Sequence, residues 1–478
     1  MVGRVLGVLA VVVDAASGGF VEFPIEHADE LSVARFKSEY ADKLRPVVIR
    51  GNGRTRAEAA RWTASDFVDK CGDGEITRYV SDPASAAWGG FDMANDRRVP
   101  LRDFFREVAA SESSEDVYGF DYNLKCDCEA FVEDTTILPY FKQDVTVQME
   151  MTGAAWPVLI AGMPGTRSQL HVDNSFLPFW LTLLGGRKVF RCVDLSEWNT
   201  TLVAAGVVDA DGDTRFAVDA YDDETVVERF GGATIYSSVL EPGDSVYIPV
   251  AGLHGGFNVG DEPALAITGN YHDDAHHDLL VDVYCEQQVR KRVARRGSSR
   301  VAAMVKDPSC LFWAGALGDL APTADLGDDD APAPLGAVVY SDPWFCRKYG
   351  PGLRRGSDCG ASASRCPPRP PNGGGDDDDD DADSDFVQDS NDDGVFSRQE
   401  VSLKLAQVAP RYLKSVPDDA MTWAYLRDWV TDQVADVWPL GAPQMDAKAI
   451  DAAIFAKFFD EAGDERPVES FLPRRSEL

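Results

Sequence analysis

Between Trp156 and Tyr271 the chain is a succession of short apolar runs separated by glycine, proline and aspartate: WPVLIAG, FWLTLLGG, RKVFRCVD, ATIYSSVLEPGD, SVYIPVAG and ALAITGNY. Several short strands at that rhythm restrict the segment to an all-β sandwich or barrel. LLGGRKVF reads as a hairpin turning at Gly185-Gly186. The turn MPGTRS delivers the chain from the first of these strands into SQLHVDNSFLPFWLTLLGGRK, residues Ser168 to Lys188, where the chemistry is concentrated.

On a β-strand, residues i and i+2 point to the same face. His171 and Asp173 are so spaced, and an imidazole and a carboxylate then project together. That is two-thirds of a 2-His-1-carboxylate facial triad, which leaves positions on Fe(II) open for oxygen chemistry. The chain has only six histidines, and His254, in the apolar run DSVYIPVAGLHGGFN, is the natural third ligand. Taken singly, each residue has an ordinary reading. An HxD arises by chance, a histidine near a turn is usually a satisfied polar residue, and Lys188 is a hairpin lysine. Together and in this order they favour an iron oxygenase over another metal-binding cupin or a metal-free β-barrel. Three protein ligands leave room for a 2-oxoacid to chelate and for O2 to bind. The far carboxylate of 2-oxoglutarate needs a buried cation, and Lys188 stands one or two strands from the metal. Ser168 and Thr268 offer hydroxyls to the same carboxylate.

These residues bring a family into view. From about residue 45 to 271 the chain resembles the JmjC-type, cupin-fold dioxygenases that depend on Fe(II) and 2-oxoglutarate. The most similar branch contains the JmjC lysyl hydroxylases and the hypoxia-inducible-factor asparaginyl hydroxylase. The matching segments are GTRSQLHVD, Trp180, GGRKVF, EPGDSVYIPVAGLHGGFNV and ALAITGNY, preceded by PVVIRG and RWTASDF. The resemblance implies a double-stranded β-helix (a jelly roll, mainly β with flanking helices). It implies iron on His171, Asp173 and His254, and the 2-oxoglutarate carboxylate on Lys188 with Ser168 beside it. Tyr118, from DVYGFD, is implied as a further contact to that carboxylate. Asn258, Thr268 and Asn270 fall at recurrent polar positions. The implied reaction converts 2-oxoglutarate to succinate and CO2 while hydroxylating a C–H bond, with a protein or peptide side chain as substrate. Two departures stand out. Leu181 occupies a position where related lysyl hydroxylases carry asparagine, and Gly255-Gly256 replace bulkier residues. The rival readings are a catalytically silent binding module and a calcium-responsive interaction protein, with histone demethylation a less attractive activity.

Upstream, Arg45–Gly51 reads as a buried strand, Thr63 or Ser65 as the cap of a short helix, and VPLRDFFREVAA as an amphipathic helix from Val99. The N-terminus, with Arg4, apolar Val5 to Val13 and small residues at Ala15 to Ser17, resembles a secretory signal peptide over 1–18. The dioxygenase domain is expected over 19–285. Residues 286–385 form a helix and an acidic Pro/Gly/Asp-rich linker, and 386–478 a helical EF-hand-like domain. DSNDDGVFSRQE supplies Ca2+ ligands at Asp389, Asn391, Asp393, Val395 (carbonyl) and Glu400, with Gly394 at the sharp turn. A second, degenerate loop lies over IFAKFFDEAGDERPVESF.

A formal net charge of −34 argues against general nucleic-acid binding, which needs a basic face. The nine cysteines favour disulfides over a zinc site, and their odd number leaves one or more free. Leader and cysteines together predict the secretory pathway, with the terminal Glu477-Leu478 a weak pointer to the endoplasmic reticulum lumen. Cytoplasm or nucleus is the alternative if the leader is not a signal. No stretch is long and apolar enough for a membrane span.

Overall fold

The computed structural model describes residues 20–80, 97–110, 117–142, 157–173, 176–194, 221–224, 226, 234–271, 277–296, 300, 304, 330–335, 405, 413, 423–437, 452–454 and 456–457. The expected leader, the acidic run and the calcium-loop residues Asp389, Asn391, Asp393, Val395 and Glu400 lie outside them.

Fifteen strands are described. They are β1 (Phe20–Val21), β2 (Ile25–His27), β3 (Val47–Arg50), β4 (Glu75–Val80), β5 (Arg97–Pro100), β6 (Val117–Asn123), β7 (Thr136–Ile137) and β8 (Val158–Gly162), followed by β9 (Phe179–Gly185), β10 (Arg187–Val193), β11 (Ile235–Leu240), β12 (Ser245–Ile248), β13 (Leu253–Val259), β14 (Ala264–Asn270) and β15 (Ala333–Pro334). The larger sheet has nine strands in the order β2-β3-β12-β9-β14-β8-β6-β4-β5, and a smaller one runs β1-β11-β10-β13. Apart from the parallel pairs β1–β11 and β2–β3, neighbours in both sheets are antiparallel. This is the jelly-roll sandwich that the strand rhythm and the resemblance predicted.

One apolar cluster fills the space between the sheets. Ile160, Phe179, Leu181 and Leu183 come from the larger sheet, and Phe190, Cys192, Tyr236 and Leu240 from the smaller. Because side chains alternate along a strand, the other face of the larger sheet presents Trp180, Leu184, Leu265 and Ile267. These join Phe36, Trp62, Phe67, Phe104 and Phe131 from the flanking segments in a second cluster. A central strand such as β9 therefore buries both faces, which explains its unbroken apolar sequence.

Two local readings are corrected. Gly185-Gly186 is not a hairpin. β9 pairs with β12 and β14, whereas β10 pairs with β11 and β13, so the chain crosses from one sheet to the other at Gly186. Gly186 has φ +67°, a conformation that glycine adopts without penalty. The helix expected from Val99 begins instead at Leu101, and Val99 pairs with Ile76 in β5–β4. Pro100 accounts for this, because the residue before a proline is forced toward extended backbone. The Thr63 cap is present as a full capping box with Asp66.

Candidate metal centre

His171, Asp173 and His254 meet between the sheets, all three buried, with their ligand atoms within 4.8 Å of one another. Backbone pairing fixes the two histidines. His171 N–H donates to His254 C=O and His254 N–H to His171 C=O, at 2.9 Å each. The expected regular strand through HxD is not formed. His171 makes an isolated bridge to His254, and the ladder is irregular just before it, where Gly256 N–H donates to the Ser168 side-chain oxygen at 2.9 Å. The two ligands still converge, with His171 Nε2 3.5 Å and His254 Nε2 4.0 Å from Asp173 Oδ1.

Hydrogen bonds behind each ligand set its orientation. His171 Nδ1 lies 2.7 Å from Gln169 O and His254 Nδ1 3.0 Å from Gly252 O. A carbonyl only accepts, so each Nδ1 carries the proton and each Nε2 turns a lone pair inward. Asn270 Nδ2 donates to Asp173 Oδ2 at 2.7 Å, leaving Oδ1 aimed at the imidazoles. Burial pushes the His254 imidazole down to about 4, with His171 acting in the same direction, so His254 is neutral. Burial works to raise Asp173, but His254, His171 and Asn270 outweigh it and hold the group ionised. Phe179 and Phe190 stack on the His254 ring at 4.9 and 6.1 Å. Two imidazole lone pairs and a carboxylate oxygen thus converge in an apolar enclosure. That donor set fits a divalent cation with nitrogen and oxygen preference.

A cation stands near by. Lys188 on β10 is 2 % exposed, and its Nζ donates to Asn258 Oδ1 at 3.0 Å. Among the described residues no carboxylate pairs with it. The Tyr118 ring lies 5.5 Å and the Phe190 ring 5.8 Å from the ammonium. Burial alone pulls Lys188 down to about 7. A buried ammonium without a counter-ion is costly, so an anion brought to Lys188 would relieve that cost. Ser168 reaches the same place, since its oxygen sits on the backbone of Gly256, which also lies beneath the lysine. Asn258 is held from behind by Thr166, to whose hydroxyl oxygen it donates at 2.8 Å.

Of the residues predicted from sequence, His171, Asp173 and His254 come together, as do Lys188, Asn258, Tyr118 and Ser168. Thr268 differs in that its hydroxyl donates to Trp180 O at 2.6 Å, tying β14 to β9 and spending its proton there. Leu181 stands in the apolar wall with Phe179 and Leu183. Sequence reasoning noted Asn270 only as a polar position, and its bond to Asp173 was the missing role. The aromatic stacking on His254 was also missed, although the alternation of Phe190 with Lys188 along one strand face was a usable signal.

The comparisons with known proteins agree with this geometry. The family described as Cupin-like domain matches residues 33–280, which include His171, Asp173, His254, Lys188, Ser168, Asn258 and Tyr118. The protein named Lysine-specific demethylase JMJ21, from Arabidopsis thaliana, is 22% identical over 260 residues, covering 52% of this chain. The match takes in 25% of that relative, so the chain spans about a quarter of its length.

Proposed function

The chain belongs to the cupin-like family and carries a JmjC-type domain, and from that membership we propose that it is an Fe(II)- and 2-oxoglutarate-dependent oxygenase that hydroxylates a protein side chain. The observation that carries this reading is the pairing, in one buried interior, of a converging His171–Asp173–His254 set with the ammonium of Lys188, which no carboxylate meets among the described residues. His171, Asp173 and His254 would hold the iron, which when bound would supply the chemistry that couples loss of CO2 from 2-oxoglutarate to oxygen insertion from O2 into a C–H bond. The protein's own part is to bind, orient and exclude water. The backbone carbonyls of Gln169 and Gly252 hold the imidazole tautomers, and Asn270 presents one carboxylate oxygen. Lys188 and Ser168 receive the distal carboxylate of the cosubstrate, with Asn258 and Tyr118 shaping its seat. The apolar wall of Phe179, Leu181 and Leu183 keeps water from the reacting centre.

A second reading, removal of an N-methyl group from lysine, is favoured by the similarity to the Arabidopsis protein named as a lysine-specific demethylase. Both begin with hydroxylation of a C–H bond, and the product separates them. Mass spectrometry of candidate proteins should show a stable added oxygen after treatment with wild type and none after treatment with an Asp173→Ala variant. Loss of a methyl group with release of formaldehyde would move the assignment to demethylation. The oxygenase reading itself is tested without a substrate. Anaerobic Fe(II) plus 2-oxoglutarate should give a metal-to-ligand charge-transfer absorption in wild type and none in Asp173→Ala. A folded wild-type protein lacking that absorption is a silent binding module.

The domain layout and location belong to the same proposal. The oxygenase domain occupies 19–285, and an EF-hand-like unit over 386–478 makes the activity responsive to Ca2+ through Asp389, Asn391, Asp393, Val395 and Glu400. Calcium should alter uncoupled 2-oxoglutarate turnover in the full chain, and Glu400→Gln, which removes the bidentate ligand, should abolish the response. The described residues contain a Cys71–Cys128 disulfide, Cys285 is disulfide-bonded too, and Cys192 is free and buried. Disulfides persist in oxidising compartments, which supports the secretory pathway as the site of action.

A further inference from the structure

Gly256 lies on β13 two residues beyond His254, opposite Phe190, while Lys188 faces Asn258 across the β10–β13 ladder. Residues 254, 256 and 258 share one face of the strand, about 7 Å between successive same-face positions. A Cβ added to Gly256 would stand 2.5 Å from Lys188 Cε, 3.1 Å from Lys188 Nζ and 3.3 Å from Phe190 Cε2. The end of the lysine side chain therefore lies over the bare backbone of Gly256 while its Nζ bonds to Asn258 Oδ1 at 3.0 Å. Gly256 also fixes Ser168 on its other side, exchanging hydrogen bonds with the Ser168 N–H and side-chain oxygen at 2.9 Å each. Gly162 closes the seat from beneath. A Cβ there would meet Asn258 Nδ2 at 2.2 Å, Thr166 Oγ1 at 2.7 Å and Tyr118 Cδ2 at 2.8 Å.

Resting on the reading of Lys188 as the cation for the cosubstrate's distal carboxylate, we infer that Gly256 is a positioning residue: its missing side chain opens the notch in which the ammonium lies beside Asn258. The atoms that a methyl group would strike belong to the flexible end of a lysine. An alanine at 256 thus moves the ammonium and spares the fold. Gly255-Gly256 departs from the bulkier residues of the resemblance, and in this chain the small residue at 256 has a definite consequence for the cosubstrate seat.

The test is a double-mutant cycle on the full chain: wild type, Gly256→Ala, Lys188→Ala and the double variant. Calorimetry with Mn(II) in place of iron measures binding of 2-oxoglutarate and of 2-oxopentanoate, which has the same chain length without the distal carboxylate. Gly256→Ala should weaken 2-oxoglutarate by about 10- to 100-fold, the loss of a charge-assisted hydrogen bond, while 2-oxopentanoate changes less than about twofold. On the Lys188→Ala background the same change should cost nothing further, because Gly256 acts through the lysine. Equal weakening of both acids, or a full loss persisting without Lys188, overturns the inference. The thermal midpoint of the metal-free proteins reads the notch independently of any ligand: the double variant should be no less stable than Lys188→Ala. If wild type with Mn(II) binds no 2-oxoglutarate, the oxygenase reading fails, while additive losses in the unfolding cycle sink the notch.

Discussion

Asn270 and Lys188 decide how the centre works at the scale of single residues. Asn270 occupies Asp173 Oδ2 and so leaves one defined oxygen for a metal. Partners of this kind typically account for about 10- to 100-fold in metal affinity. Asn270→Ala should weaken Mn(II) or Co(II) binding within that range with little change in unfolding midpoint, and unchanged affinity would reduce Asn270 to a packing residue. Lys188 carries a pH prediction. Its folded-state value, about 7, lies below the ordinary 10.5, with burial the cause. Between those two values the unfolded chain holds the proton that the folded one has released, so the apo protein should gain stability as pH rises across that window. An anionic cosubstrate needs the ammonium, so its affinity should fall by about tenfold per pH unit above about 7. Flat affinity from pH 7 to 9 by calorimetry would show that the ammonium is not the anchor. The ligand types and Lys188 were legible in the sequence because their chemistry is written in their identity and spacing. The Asn270 bond was not, because it depends on β14 lying beside β9, ninety-odd positions from Asp173 in the chain.

At the scale of elements, the crossing between sheets is the feature the sequence rendered least well. Leu183-Leu184-Gly185-Gly186 carries the local signature of a hairpin, yet β9 and β10 belong to opposite sheets. Local turn chemistry cannot distinguish these outcomes. The choice falls to β12 and β14, which take both edges of β9 and leave β10 to β11 and β13. The strands themselves were legible because alternation and apolar runs are local properties, whereas their partners are not. Gly186 bears the change of direction at φ +67°, and a Cβ on it would lie 2.5 Å from Pro263 O and 2.8 Å from Ala264 Cα. Those are backbone atoms, so nothing flexible can yield. Gly186→Ala should cost about 1–3 kcal/mol in denaturant unfolding, from the left-handed conformation and the contact together. Since β10 carries Lys188 two residues later, 2-oxoglutarate binding should weaken as well. An alanine variant as stable as wild type would mean that the crossing tolerates another path.

For the molecule as a whole, the question is what holds the helical flank against the sandwich that contains the centre. The flank packs on the outer face of the nine-stranded sheet through Trp62, Phe67, Phe104 and Phe131, with the Trp62 ring tilted against Phe67 at 5.0 Å and edge-on to Phe131 at 4.9 Å. Cys71 ends one helix of this flank and Cys128 caps another, and the disulfide between them closes a separation of 57 residues. That loop contains β4, β5 and β6, the far end of the large sheet, including Tyr118. Chain-entropy arithmetic for a loop of this length gives about 4 kcal/mol of stabilisation. A Cys71→Ser/Cys128→Ser variant should lose much of that in urea unfolding, and because Cys285 is disulfide-bonded too, a reductant should destabilise wild type by at least as much. In the proposed oxygenase Tyr118 belongs to the cosubstrate seat, so breaking the disulfide should be felt there. Reduction should weaken 2-oxoglutarate binding to the Mn(II)-loaded protein more than it weakens Mn(II) binding, because the metal ligands lie outside the loop, in β13 and the segment before β9. Equal loss of both on reduction would show that the flank supports the sandwich as one unit. No change in either would show that the aromatic packing suffices without the covalent link.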